Sequence, residues 1–155
     1  MRILFHKLSD DRHVLEIMRE DGRSERMECE TRSYLMHDFL HYAVESEAGT
    51  QSGVWGNLAR GKTLADLNDR TGKAMQDGGP EMAIIERIVG GLSGLVKGYS
   101  PESMTAALCG YADQLGAPMP DWFNQEFVRA VEERMRRLVG RWKATPYGAA
   151  MDLTW

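Results

Sequence analysis

Apolar and polar positions alternate over the first thirty residues and recur with a helical period over most of the rest. In RILFHKLS, Ile3 and Phe5 fall on one face, with Leu4, His6 and Leu8 on the other, as a strand requires. Asp10-Asp11-Arg12 reads as a polar turn. HVLEIMRE then alternates with His13, Leu15 and Ile17 on one side. Asp21-Gly22 is a strong turn signal, and SERMECE alternates again through Met27 and Cys29. Connections this short predict an antiparallel meander of three strands over residues 1–30. Such a sheet is marginal alone and needs a covering layer.

Helices are predicted to supply that layer over residues 31–144. The first runs from about Ser33 to Ala48, and Gly49 is placed to end it. VWGNLARG reads as a short helix closed by Gly61. Thr63 and Asp66 have the spacing of a reciprocal cap on the segment TLADLNDR. TGKAMQDGGP looks flexible but is too short for a domain linker. Pro80 opens a helix with Ile84, Ile85, Ile88, Leu92, Leu95 and Val96 on its buried side. Ser100-Pro101 starts the next, and Gly116 and Pro118 end it. Asp121 begins the last, with Phe123, Phe127, Val131, Met135, Leu138 and Trp142 at helical spacing. The tail 145–155 shows no clear period, with Trp155 free to dock on the body. The expected fold is therefore α+β: a three-stranded meander packed on about five helices, in one domain spanning 1–155.

Composition narrows the functional classes. The 155 residues, 43% hydrophobic and 27% charged, suit one folded domain with a core of its own. Nineteen basic against 23 acidic side chains leave a formal charge of −4, which argues against a nucleic-acid partner. No apolar run approaches the length of a membrane span, and MRILFHKLSDD turns acidic too soon for a signal peptide. Cys29 and Cys109 fit neither a disulfide framework nor a CxxC pair, so a reducing cytoplasm is the expected location.

One stretch carries most of the chemistry: LMHDFLHYAVESEAG, residues 35–49. Helical positions four apart are offset by only about 40°, so His37, His41 and Glu45 form a ridge. Two imidazoles so spaced can grip one divalent ion, as in HExxH helices. Glu45 reaches the same ion only with bending of the helix, and serves otherwise as a general base. Asp38 lies off the ridge as a second, catalytic or orienting, carboxylate. Zinc is the expected cofactor, and iron or manganese accept the same donors. The site also needs a ligand or water from elsewhere, for which Glu81, Glu86 and Asp113 are the candidates. Two other readings stay open. The ridge is a solvated polar face, or it is a metal-free hydrogen-bonded pair acting as acid and base.

HDFLH resembles the HDxxH motif of the coenzyme Q biosynthesis proteins that act at the quinone ring. That resemblance implies a helical, zinc-binding protein with His37 and His41 among the ligands. The family places a glutamate twelve positions after the second histidine, where this chain has Gly53, so its ligand set does not carry over whole. The likeness covers about fifteen residues. The wider pattern HDFLHYAVESEAG…VWGNLARG resembles that of small uncharacterised bacterial proteins and implies no activity. An HD-type phosphohydrolase would need a further histidine on a separate helix, and His6 and His13 fall in predicted strands.

Other strings have plainer readings. GGLSG, residues 90–94, suggests close helix packing, since no strand precedes it as a dinucleotide site would need. Residues 56–63 match GxxxxGK[ST], but a phosphate loop follows a strand and opens a long helix. The basic run RMRRLVGRWK shares its helix with Glu126, Glu132 and Glu133, which suits a self-paired surface. Ten methionines fit an adaptable core.

The leading reading is a divalent-metal protein, with a metal-activated water if it is an enzyme. The competing one is a metal-free interaction module that forms a homodimer through its sheet edge or a helix face. A metal enzyme predicts a concave site with further acidic groups converging on the ridge. An interaction module predicts an exposed ridge and an apolar patch elsewhere.

Overall fold

Strands β1 (Arg2–Lys7), β2 (Arg12–Met18) and β3 (Ser24–Glu30) form the expected antiparallel meander in a computed structural model that describes residues 1–67 and 79–155. A fourth strand, β4 (Ala150–Thr154), adds to the far side of β1, giving the order β3-β2-β1-β4. This adds a strand within 145–155, where the sequence shows no clear period. AMDLT offers just two inward positions, Met151 and Leu153, too few to establish a period, and its partner β1 lies at the other end of the chain. Ile3 stands opposite both Ile17 and Leu153, and Phe5 opposite both Leu15 and Met151, so β1 carries the centre of the buried face.

Helices cover that face. They are α1 (Thr31–Ala48), α2 (Val54–Ala59), α3 (Leu64–Leu67), α4 (Gly79–Leu92), α5 (Pro101–Gln114) and α6 (Gln125–Ala144), with a 3-10 segment, Ser93–Lys97, after α4. The α+β expectation therefore holds, with six α-helices among the described residues. The TGKAMQDGGP stretch falls outside the described residues for 71–78. Phe5 meets the ring of Phe39 on α1 edge-on at 5.1 Å and that of Trp55 on α2 at 6.3 Å. Trp142 of α6 lies 5.9 Å from His13 of β2. Trp155 docks on α1, its ring 5.7 Å from Tyr42. No helix among the described residues is long and apolar enough to cross a membrane.

Local signals decide most helix ends. Gly49 adopts φ 62° after α1, and its N–H turns back to the last carbonyls. Thr63 and Asp66 make the reciprocal cap, with backbone-to-side-chain bonds of 2.8 and 3.1 Å. Ser100 accepts from the Ser103 N–H at the start of α5. The start of α6 differs from expectation. Asn124, not Asp121, is the cap, accepting the Phe127 N–H at 2.9 Å, while the chain before it turns at Pro120–Phe123. The long helix expected after Pro80 also changes to 3-10 geometry at Ser93, leaving Val96 48% exposed rather than buried. The GxxxxGK[ST] string runs through α2 and the turn after it, with no strand before it. Arg136 and Arg137 pair with Glu132 and Glu133 one turn back, and Arg134 reaches Glu47 on α1 at 2.5 Å.

Packing explains part of GGLSG. A Cβ at Gly91 would overlap Leu108 of α5, whereas one at Gly90 would meet nothing. Gly91→Ala is therefore expected to cost about 1–3 kcal/mol through overpacking. Gly90→Ala is expected to gain up to about 1 kcal/mol from helix propensity. Urea unfolding of the two variants beside the parent checks both signs.

Candidate metal centre

Helix α1 is central because it is buried nearly all round. Leu35, Phe39, Leu40, Ala43 and Val44 pack into the core, and His41 and Glu45 are buried with them. The helix packs against α4 on one side and α6 on another. Two ionisable side chains in such a position need compensation. His41 is 1% exposed and Glu45 is fully enclosed.

The compensation for Glu45 is complete. Its Oε1 accepts the Val54 N–H at 2.8 Å and faces His41 Nδ1 at 3.1 Å. Its Oε2 accepts the Trp55 N–H at 3.0 Å. The donors are the first two amides of α2, so the loop after Gly49 folds back onto the carboxylate. Gly53 is required there, because a Cβ would overlap the carboxyl group of Glu45.

The compensation for His41 is half complete. Its Nε2 is buried and has no hydrogen-bond partner. It looks instead at Glu86 of α4, whose Oε1 is 3.5 Å away. The ring of His37 sits one turn back on α1, with centroids 4.6 Å apart. Among the described residues, His37, His41 and Glu86 form the group able to offer three ligand atoms to one ion, all within 4.8 Å of one another. Ligand atoms on a tetrahedral ion lie about 3.3 Å apart when the bonds are 2.0–2.1 Å. The His41–Glu86 pair is nearly at that distance. The remaining closure falls to His37, whose side chain is 52% exposed and has room to swing.

Electrostatics fit this arrangement. Burial works against a charged His41, but the bond to Glu45 and the nearby Glu86 carboxylate outweigh it and raise the pKa to about 9. Burial likewise opposes ionisation of Glu86, and His41 and then His37 reverse this, holding its carboxyl below the usual range. A proton is thus held where the cluster would place a cation.

The expected residues are therefore only partly brought together. His37 and His41 share a site. Glu45 stands outside the ligand-capable group, both oxygens engaged, and Glu86 from α4 takes the third place. Of the other two expected donors, Glu81 is exposed and hydrogen-bonded to Ser52, and Asp113 is exposed on α5. Asp38 lies 3.9 Å from His37 Nδ1 and also faces the sheet, where its charge is felt by His13 and Cys29. Glu86 was named from the sequence beside Glu81 and Asp113, with nothing local to rank it above them. The clasp of Glu45 by α2 left no sequence signal except the two glycines, 53 and 56.

An unpartnered nitrogen alone does not make a site. His13 also has one, at Nε2, but its surroundings are Phe5 and Trp142, and burial lowers its pKa. Cys29, its cross-strand neighbour, is pushed up to about 11 by burial. A comparison of the chain with protein-family models, with curated proteins and with solved structures finds no match in any of the three.

Proposed function

We propose that the protein binds one divalent metal ion through His41 Nε2, an imidazole nitrogen of His37 and a carboxylate oxygen of Glu86. The observation that carries this reading is the buried His41 Nε2, which lies 3.5 Å from a carboxylate of another helix, longer than a good hydrogen bond, with a second imidazole beside it. Two imidazoles and one carboxylate suit zinc or ferrous iron, and three protein ligands leave a position for water. Water bound there would be acidified by the ion, so metal-assisted hydrolysis is the chemistry the donor set favours. In this reading Asp38 steadies His37 from 3.9 Å.

Metal content of untagged protein, after incubation with zinc, manganese or ferrous iron, tests the reading. The parent is expected to hold close to one ion per chain. A His37→Ala/His41→Ala double variant and a Glu86→Gln variant are expected to hold none. Equal loading of parent and variants, or none in any of them, would refute it.

A second reading, an interaction module, draws on a separate feature. Met36, Leu95, Val96, Met135 and Val139 line an apolar groove of about 460 Å³ between α1, the 3-10 segment and α6. An apolar patch away from the ridge is what that reading requires.

A further inference from the structure

We infer that Glu45 is the positioning residue of the metal centre: held by the first two amides of α2, it fixes the proton of neutral His41 on Nδ1 and so points the lone pair of Nε2 at His37 and Glu86. The affinity part of this inference rests on the metal reading above. The tautomer part does not.

An ionised carboxylate only accepts hydrogen bonds. The Val54 and Trp55 N–H groups are backbone donors and cannot change role. With both oxygens committed to them, Glu45 offers His41 an acceptor and nothing else; Glu86 is an acceptor too but lies farther off, 3.5 Å from Nε2 against 3.1 Å at Nδ1, so the single hydrogen of neutral His41 goes to Nδ1. A neutral imidazole has one N–H, and the other nitrogen is then a bare ligand atom. The loop is shaped around this carboxylate. Gly53 leaves the room it occupies, and a Cβ at Gly56 would overlap the Gln51 backbone, which keeps the turn closed over it. Metal-bound histidines commonly donate their second nitrogen to such an acceptor, and its loss typically weakens metal binding about 10–100-fold.

A bland alternative makes Glu45 a fastener of α2 with no effect on the site. Two variants separate the readings. Val54→Pro removes one donor to Glu45 at the first position of α2, where proline is tolerated, and Gly53 before it is already extended. Glu45 remains an acceptor in that protein, so His41 is expected to keep its hydrogen on Nδ1. In Val54→Pro/Glu45→Gln the glutamine has one oxygen and one NH₂ group. Its oxygen can take the Trp55 N–H, and its NH₂ group, no longer opposed by an amide at position 54, can donate to His41 Nδ1. His41 must then carry its hydrogen on Nε2, which blocks the ligand atom.

The tautomer is read from the imidazole nitrogen shifts of metal-free protein by NMR at about pH 10, above the His41 pKa of about 9. Zinc affinity is read separately by competition with a chelating dye at neutral pH. The expected result is an Nδ1–H form in Val54→Pro, an Nε2–H form in the double variant, and zinc binding about 10–100-fold weaker in the double variant than in Val54→Pro. An unchanged Nδ1–H form in the double variant would overturn the inference. So would a switched tautomer with zinc affinity equal to that of Val54→Pro. Should neither Val54→Pro nor the parent bind zinc, the metal reading falls, and the tautomer result alone decides whether Glu45 sets His41.

Discussion

His41→Ala is expected to abolish metal uptake and to destabilise the metal-free protein by about 3–5 kcal/mol, the usual result of removing one partner from a buried charged pair. Both losses follow from burial. His41 is 1% exposed, and its removal leaves the enclosed Glu45 carboxylate without its side-chain partner. Glu86 also loses the group that holds its pKa down. The missing ring of this enclosed side chain also opens a void, which adds a packing cost. Glu86→Gln should separate the two effects. Its side chain is 23% exposed, and removing its charge strips one ligand without emptying the core. Metal uptake should be lost there too, with a far smaller change in stability. Metal analysis and denaturant unfolding of the two variants together check this. Equal stability losses would mean that the three groups are not arranged as described.

Stability is expected to fall with rising pH in the metal-free protein, and bound metal is expected to cancel that fall. In the metal-free fold His41 keeps its proton to about pH 9, against 6.5 for a free imidazole. A raised value in the fold means the folded state binds the proton more tightly. The stabilisation is complete below pH 6.5 and is lost as pH rises through 9, a change on the order of 3 kcal/mol. Glu86 acts in the other sense, because its pKa is lowered from 4.5: its contribution is present above that value and is lost as pH falls below it. The pair therefore stabilises the metal-free protein most between about pH 4.5 and 6.5. The groups that set these values are Glu45 and His37 on α1 and Glu86 on α4. A metal ion needs His41 neutral, so binding expels its proton, and affinity should rise about tenfold per pH unit up to about pH 9. Thermal melting from pH 5 to 9, with and without zinc, should give curves that diverge as pH rises. Parallel curves would count against His41 as a ligand.

Much of this was legible in the sequence, for local reasons. Strands β1 to β3 follow from alternation and two short polar turns. The caps at Gly49, Thr63 and Ser100 depend on residues within one turn of the helix end. His37 and His41 needed only a helical period. What escaped depends on contacts between distant segments. β4 is defined by pairing with β1 across nearly the whole chain. The role of Glu45 could not be read from its spacing. Its phase on α1 is compatible with a metal, but the amides of Val54 and Trp55, nine and ten residues later, reach it first. Glu86 could be named among three acids but not chosen, because α4 meets α1 at an angle and register that no local pattern encodes.

The most direct test of the metal centre is a zinc titration of the parent protein followed through the imidazole nitrogens of its four histidines by NMR. The account predicts that His37 and His41 change together and are complete at one equivalent, with zinc on Nε2 of His41 and the hydrogen kept on its Nδ1. His6, bonded to Glu16 on the strands, and the buried His13 should not move. Zinc shifts confined to His6 or His13, or no shift at His41 at several equivalents, would contradict it.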